Sequence, residues 1–361
     1  MSTTVLGRDG DSGGGGWSGG VPGGDADGDV PTGRIGVYRA RDGSDGAPVS
    51  LDLDRPHAAL VVGKRGTGKS YTLGVVAEEV ARAPGVAPVV VDPVGAFSGL
   101  AELGGRVVRP PRVAPDSLPP SAWPSLLGLD PSGAAGALVW QAAASESSLA
   151  SMRAHVADAD ATRATRRAAT NHLDLASSWD VFDTEGLTPE EVASGDPVVL
   201  DCSTLTPAAT NAVVRAVARG LYDARLAGRV GRLPWLLVDE AHVLFDGIAS
   251  PALETLLTRG RVPGVSIVAA TQRPSALPDV AVSQADLLVA HRLTSEADVS
   301  ALAAARPTFL DGTVRERLPA ERGCALVVDD ATEATHVVRI RERITPHGGD
   351  DPRASAEGRA D

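Results

Sequence analysis

The stretch that decides the fold is Gly63-Lys64-Arg65-Gly66-Thr67-Gly68-Lys69-Ser70. It fits the pattern G-x-x-x-x-G-K-[ST], in which glycines let backbone N–H groups turn toward phosphate oxygens. The apolar run Ala58–Val62 before it predicts a buried strand, and residues 70–83 after it predict a helix. Strand, loop and helix are the context that this phosphate-binding loop requires, so a chance match in a glycine-rich chain is the weaker interpretation.

The chemistry of the loop assigns roles to single side chains. We expect Lys69 to contact the β and γ phosphates of a nucleotide, and the Ser70 hydroxyl to ligand Mg²⁺. Lys64 and Lys69 are the only lysines of the sequence, and every other basic residue is Arg. Composition therefore disfavours lysine, and its presence at position 69 indicates a site where Arg does not fit the same phosphate geometry.

Size and composition limit what the chain can be. Its 361 residues, 43% of them hydrophobic, are enough for one large or two modest domains. The two cysteines, Cys202 and Cys324, form no C-x-x-C pair, which favours a reducing compartment over a disulfide framework. No apolar run approaches the roughly 20 residues that span a bilayer, and no secretory pattern begins the chain. We therefore expect a cytoplasmic protein without a membrane partner.

The charge balance bears on possible partners. The net charge is −12, and Asp is abundant while Lys is almost absent. This composition is typical of a salt-adapted, halophilic protein, in which an acidic surface maintains solubility. Net charge is therefore a poor argument against nucleic-acid binding.

Apolar runs alternate with helical segments along the chain. Residues 1–33 are rich in Gly, Asp and Ser and predict a disordered segment, and residues 347–361 predict a flexible polar tail. Short strands at 35–38 and 49–53 lead into the strand before the loop. Further strands are predicted at 86–92, 107–109, 197–201, 233–239, 265–271, 286–290, 324–328 and 336–341. Continuous apolar strands separated by helices predict a three-layer α/β domain over residues 34–346 with a mainly parallel sheet.

Residues 125–195 are rich in Ala, Ser and Arg and predict a helical insertion in this domain. Its arginines form either a solvated helix face or a DNA-contacting patch; they are Arg153, Arg163, Arg166 and Arg167. We expect Trp179 and Phe182 to pack against the main body rather than to stack on bases.

A second apolar run, residues 233–239, ends in Asp239 and Glu240, followed by Ala241 and His242. In this Walker B pattern, Asp239 holds Mg²⁺ through water and Glu240 polarises the water that attacks the γ-phosphate. The alternative, a polar loop start, is weakened by the phosphate-binding loop in the same chain. His242 either couples the site to a neighbour or is a packed histidine.

Polar residues also flank the strand predicted at 265–271. Gln272 follows it and is our candidate γ-phosphate sensor, although a capped turn before Pro274 would explain the same residues. Arg259 and Arg261 precede the strand. Either could enter a neighbour's nucleotide site as an arginine finger, with a gain on the order of 10³-fold or more in rate. Each also fits an exposed structural arginine, and the sequence does not choose between them.

Together these motifs resemble the HerA-like branch of the HerA/FtsK superfamily of P-loop ATPases. The resemblance covers about residues 35–349, and its motifs lie at 51–54, 63–70, 89–95, 237–242, 270–274 and 338–349. It implies a RecA-like core with ATP and Mg²⁺ as cofactors. It also implies a homo-hexameric ring that moves double-stranded DNA, often with a nuclease partner.

By position, the resemblance implies nucleotide contacts at residues 63–71, which include Tyr71, and at Asp92. It implies catalysis at Glu240, a sensor at Gln272 and a finger at Arg259 or Arg261. Two features depart from the family. Ala96 stands where an acidic residue is common, and only the short strands within 35–53 stand where members usually carry an N-terminal β-barrel.

Three functions stay open at this point. The complete motif set favours an ATP-driven DNA translocase or helicase. The reduced β-barrel favours an ATP-dependent switch or assembly factor without translocation. A conjugation-type ATPase that transfers DNA or protein shares the motifs. The string Asp-Glu-Ala-His also occurs in superfamily 2 helicases, but the chain has no room for their second RecA-like lobe.

Overall fold

The computed structural model describes residues 3–8, 30–304 and 312–348. The strands are β1 (Thr4–Leu6), β2 (Thr32–Arg39), β3 (Asp45–Asp52), β4 (Ala58–Val62), β5 (Val86–Asp92), β6 (Arg106–Val108), β7 (Val198–Asp201), β8 (Leu233–Val238), β9 (Ser266–Thr271), β10 (Leu287–Ala290), β11 (Cys324–Asp329) and β12 (Ala334–Ile340). The helices are α1 (Lys69–Arg82), α2 (Ala122–Leu126), α3 (Ala134–Ser145), α4 (Leu149–Asp158), α5 (Arg163–Ser178), α6 (Pro189–Val192), α7 (Pro207–Leu226), α8 (His242–Phe245), α9 (Ser250–Arg259), α10 (Asp279–Ser283), α11 (Glu296–Ala304) and α12 (Val314–Arg317).

All the strands join one 12-stranded sheet in the order β1-β3-β2-β12-β11-β10-β4-β9-β8-β5-β7-β6. Every pairing from β10 across to β6 is parallel. The pairings that link β10, β11, β12, β2 and β3 are antiparallel. Every residue of β5 and β9 is buried, as expected of strands covered on both faces.

Helices cover both faces of the sheet because successive side chains of each strand point to opposite sides. In β4, Leu60 and Val62 belong to the core beneath α7 and α9, whereas Val61 belongs to the core beneath α1. The predicted three-layer α/β architecture with a mainly parallel sheet is therefore confirmed. It places β4, the strand before the phosphate-binding loop, near the middle of the 12-stranded sheet and next to β10, where the parallel region begins.

The N-terminal β segment continues the sheet. β2 and β3 form an antiparallel hairpin, and β2 pairs with β12. The prediction of disorder for residues 1–33 is wrong at Thr4–Leu6, which pairs in parallel with β3 and buries Leu6, and at residues 32–33, where β2 begins. Three residues carry too little periodicity to indicate a strand, and this one depends on pairing with distant residues. Residues 9–29 lie outside the described part of the chain.

The helical insertion lies between β6 and β7 and contains α2 to α6. Its buried side chains Trp123 and Leu173 belong to the same core as α7, so the insertion packs on the main body. The Phe182 ring lies 4.9 Å from that of Trp123 between centroids. Phe182 and Trp179 pack against this core, as predicted.

Two of the four arginines of the insertion have protein partners. Arg153 pairs with Asp174 at 2.6 Å. Arg166 donates from one guanidinium nitrogen to two backbone carbonyls of the preceding loop, each at 3.0 Å. These contacts favour the solvated helix face for both residues, while Arg163 and Arg167 are exposed.

Candidate active site

The polar residues singled out in the sequence converge on one edge of the sheet. The phosphate-binding loop follows β4, Asp239 follows β8, and Gln272 follows β9. β8 and β4 both pair with β9 in parallel, so the carboxyl ends of these strands meet at the same edge. In open α/β sheets, this edge is where ligands bind.

The glycines of the loop are required by its backbone. Gly66 and Gly68 have φ angles of 77° and 119°, a region that disfavours side chains. A Cβ on Gly63 would lie 2.6 Å from the Cβ of His291. The turn is closed because the Thr67 hydroxyl donates to the Lys64 carbonyl at 2.7 Å. The loop then leads into α1, which begins at Lys69.

Lys69 lies close to the Walker B carboxylates. Its side chain is buried, and Nζ donates to the Lys64 carbonyl at 3.2 Å. Burial lowers the pKa of Lys69, while the charges of Glu240 and Asp239 raise it. The structure therefore brings the Lys69 ammonium group close enough to Asp239 and Glu240 for their charges to interact, as the motifs predict.

Asp239 has a free oxygen that suits a metal ion. Oδ1 accepts the Glu240 backbone N–H at 2.9 Å, but Oδ2 is buried without a hydrogen-bond partner. Burial raises the pKa of Asp239 to about 6, although the nearby Ser70 hydroxyl and the charge of Lys69 act to lower it. A carboxylate oxygen and a hydroxyl are the hard ligands that Mg²⁺ prefers, so these residues fit that ion.

Within residues 3–8, 30–304 and 312–348, no group of three or more His, Cys, Asp or Glu side chains is placed to hold a metal ion. Mg²⁺ in nucleotide sites usually has one or two protein ligands and completes its shell with substrate phosphates and water. One carboxylate and one hydroxyl are therefore enough for this kind of site.

Glu240 has the surroundings expected of a base. Its φ angle of 48° is uncommon for a residue with a side chain and turns it out of the line of β8. Burial raises the pKa of Glu240, although the charges of Lys69 and Arg65 lower it. A carboxylate whose pKa is raised toward neutrality accepts a proton more readily.

His242 lies near both Glu240 and the end of β9. Its Nδ1 lies 3.4 Å from Glu240 Oε2 and 3.2 Å from the hydroxyl oxygen of Thr271, the last residue of β9. Burial lowers the pKa of His242, and the charges of Arg273 and Lys69 lower it further. The ring therefore lies between the acid at the end of β8 and the end of the neighbouring strand, although Glu240 Oε2 has no hydrogen-bond partner among the described residues, and the role of His242 stays a prediction.

Gln272 and the two arginines lie at opposite edges of the sheet. Thr271 pairs in register with Val62, so Gln272 lies beside the first residue of the phosphate-binding loop. Arg259 and Arg261 are exposed and precede β9, whose 6 residues separate them from that edge. Six residues of strand span about 20 Å. The two arginines are therefore remote from the loop of their own chain, and the roles of all three residues stay predictions.

The Asp92 carboxylate holds the loop that follows β5. Its Oδ1 accepts the backbone N–H groups of Val94, Gly95 and Ala96, and its Oδ2 accepts that of Phe97. The buried carboxylate thus organises the loop after β5 instead of facing the phosphate-binding loop with free acceptors. A contribution of Asp92 to nucleotide binding would act through that loop.

The C-terminal segment 341–348 packs against α1 and Tyr71. The Tyr71 hydroxyl accepts the Arg343 backbone N–H at 2.6 Å, and the Tyr71 ring lies 5.7 Å from that of His347. The predicted tail at 347–361 thus begins with residues in contact with the domain, and residues 349–361 lie outside the described part. Glu78 of α1 accepts the backbone N–H groups of Ile344 and Thr345.

Sequence patterns did not point to Glu78 or to His291. His291 follows the last residue of β10 and lies buried against the phosphate-binding loop. Its signal in the sequence is a polar residue at the end of an apolar run, the same signal that identified Asp239 and Gln272. Glu78 has no such signal, because it lies inside a helix and its partners come from the other end of the chain.

The profile of the family described as "Helicase HerA, central domain" matches residues 34–219. The chain belongs to the HerA central-domain family. It is thus a P-loop ATPase of the HerA/FtsK type, as the motifs indicated. None of the curated proteins matches the sequence significantly.

Two solved structures resemble this HerA-family domain along most of its length. VirB4 of Thermoanaerobacter pseudethanolicus is 17% identical and has a TM-score of 0.64, with 88% of this chain and 98% of that one covered. The bacterial conjugative coupling protein TrwBdeltaN70 is 16% identical with a TM-score of 0.58, covering 88% and 91%. At these identities the likeness concerns the fold, which is the RecA-like P-loop ATPase fold. Among the residues described, no helix has the length and apolar character needed to cross a membrane.

Proposed function

We propose that the chain is an ATP-hydrolysing motor that acts on double-stranded DNA as a homo-oligomer. The observation that carries the proposal is the convergence of Lys69, Asp239 and Glu240 on one sheet edge in a member of the HerA family. ATP and Mg²⁺ are the cofactors that this set of side chains fits. A hexameric ring and a nuclease partner are further parts of the proposal, taken from the family resemblance.

The side chains of the site divide the work of phosphoryl transfer. Backbone N–H groups of the loop and Lys69 hold the β and γ phosphates. Ser70 and Asp239 would hold Mg²⁺, which neutralises charge on the phosphates when bound. Glu240 accepts a proton from the attacking water. The water oxygen then bonds to the γ-phosphorus, and the bond from that phosphorus to the oxygen that leaves with ADP breaks. Gln272 orients that water or contacts the γ-phosphate.

The position of Arg259 and Arg261 supports a role between subunits. Both are exposed at the amino edge of β9, so the nucleotide site that either can reach is that of another molecule. A head-to-tail assembly brings unlike edges of two copies together and forms a ring if the rotation closes. In such a ring, the guanidinium of one subunit would stabilise charge on the phosphates held by the next.

The experiment that tests the function is ATP turnover in molar KCl, with and without linear duplex DNA, for the wild type and Lys69→Ala. Stimulation by DNA that is absent in the variant supports the motor. An ATP turnover rate that is the same with and without DNA supports the alternative of an ATP-dependent switch or assembly factor. An absence of turnover in the wild type contradicts both.

A conjugation-type transfer ATPase is the second candidate, because VirB4 and the coupling protein TrwB share the fold over 88% of the chain. A motor that moves along duplex DNA displaces a third strand bound in its path. ATP-dependent displacement of such a triplex strand from linear DNA supports the DNA motor. DNA-stimulated turnover without displacement favours the transfer ATPase.

A further inference from the structure

His291 lies wholly buried beneath the phosphate-binding loop. Its Nδ1 is 3.0 Å from the carbonyl oxygen of Cys324 in β11, and its Nε2 is 2.9 Å from the hydroxyl oxygen of Thr72 in α1. A carbonyl oxygen can only accept, so Nδ1 carries the ring proton. Nε2 is then an acceptor, and the Thr72 hydroxyl donates to it. The two partners thereby select one neutral tautomer of the ring.

Burial maintains this state of the ring. His291 has no exposed surface, and burial lowers its pKa to about 4. The hydrogen bond to the Cys324 carbonyl opposes the shift, and the charge of Lys69 adds to it. Near neutral pH the ring therefore remains a donor on one side and an acceptor on the other.

The same residue fills the space between the two ends of the loop. A Cβ on Gly63 would lie 2.6 Å from the Cβ of His291, and one on Gly68 would lie 3.4 Å from its Cε1. The backbone of His291 is also bonded to the strand before the loop, because the His291 N–H donates to the Val62 carbonyl at 2.8 Å. The Lys64 N–H donates to the carbonyl of the next residue, Arg292, also at 2.8 Å.

We propose that His291 is a positioning residue that holds the loop in its phosphate-binding shape, by joining the first turn of α1 to β11. The inference rests on the proposed nucleotide binding at this loop. Ordering a flexible loop costs affinity, so a loop that is held beforehand binds phosphate more tightly. His291 itself does not touch the nucleotide, and its contribution is to the direction of the N–H groups that do.

Two substitutions separate the two contacts of the ring. In His291→Asn, the amide nitrogen can replace Nδ1 and donate to Cys324, but nothing reaches Thr72. In His291→Gln, the amide oxygen can replace Nε2 and accept from Thr72. If α1 is the end that must be held, the Asn variant loses affinity and the Gln variant recovers much of it. Thr72→Val removes the donor and should reproduce the Asn variant.

His57 offers a matched control at the other end of β4. It is buried, and its Nδ1 lies 2.9 Å from Asp286 Oδ2, far from the loop. His57→Asn should lower the thermal midpoint of unfolding as His291→Asn does, because each removes a buried ring with a hydrogen bond. A loss of fold stability alone therefore affects both variants.

The measurement is the dissociation constant of ADP with Mg²⁺, made on the full chain beside thermal unfolding. We expect His291→Asn and Thr72→Val to bind ADP on the order of tenfold more weakly than the wild type, the factor that a lost buried hydrogen bond produces. We expect the double variant to be no weaker than either, and His57→Asn to bind as the wild type does.

Two results would overturn the inference. One is wild-type ADP affinity in His291→Asn, and the other is an equal loss in His57→Asn, which would make the effect one of general stability. Failure of the proposed nucleotide binding at this loop has a different signature, because the wild type itself would then bind no ADP. Weak binding limited to the His291 and Thr72 variants supports the inference.

Discussion

The role of Glu240 can be tested by Glu240→Gln, which removes the charge and the proton acceptor but keeps the size of the side chain. The Glu240 backbone N–H donates to Asp239 Oδ1 at 2.9 Å, and a change of side chain leaves this bond intact. The remaining elements of the loop keep their contacts, including Lys69. The variant therefore isolates proton transfer from nucleotide binding.

The size of the effect follows from the chemistry. General-base catalysis by a positioned side chain contributes about 10²- to 10⁴-fold to the rate, so kcat should fall by at least about 100-fold. ATP affinity should stay the same or rise, because one negative charge near the γ-phosphate is removed. By the usual reading of mutant kinetics, a loss in kcat without a loss of binding identifies an interaction made in the transition state.

Single-turnover hydrolysis of ATP and equilibrium binding of ATP would be measured side by side. Asp246→Asn is the control, since Asp246 is an exposed acid a few residues beyond Glu240 and should turn over as the wild type does. Undiminished hydrolysis by Glu240→Gln would refute its role as the base. An equal fall in the two variants would mean that the loop, and not the carboxylate, is responsible.

Three more predictions concern Lys69, His291 and Glu78. Lys69→Ala should abolish ATP hydrolysis, because it removes the cation that contacts the transferred phosphate; residual turnover within tenfold of the wild type would contradict this. The pKa of His291 is lowered to about 4, so its neutral form stabilises the fold above pH 6.5 and that stability is lost as the pH falls toward 4. Urea unfolding should show a loss of about 2 kcal/mol from this group between pH 7 and 5, and His291→Gln should flatten that slope. Glu78→Gln should destabilise the fold by about 3–5 kcal/mol, since it leaves the buried side chain of Arg343 without its carboxylate, while Arg341 keeps its second partner, Glu79; a change under 1 kcal/mol in thermal or urea unfolding would refute this account of the C-terminal segment.

The central site was predictable because its signals are local. The phosphate-binding loop and the acids after 233–239 each combine an apolar strand with polar residues at its carboxyl end. In a parallel sheet those ends meet at one edge, so recognising the strands was enough to bring Lys69, Asp239 and Glu240 together. The same argument placed Gln272 beside the loop, because β9 pairs with β4.

Other features depend on partners far away in the chain. The predicted ligand Asp92 is engaged by the loop that follows it, which its strand-end position did not reveal. β1 is too short for a periodic pattern and exists through its pairing with β3. In the sequence Glu78 is an ordinary helix residue, and its role is visible only in the structure, where the segment 341–348 packs against it.

The sequence by itself determined the class of the domain, the nucleotide-binding motifs and the positions of most strands along the chain, since these follow from short-range patterns of apolar and polar residues. Only the tertiary structure decided that His291 supports the loop, that His242 lies between Glu240 and the end of β9, and that the two candidate finger arginines lie at the far edge. The reason is physical: each of these statements concerns distances between side chains of different elements, and such distances exist only after the sheet has assembled.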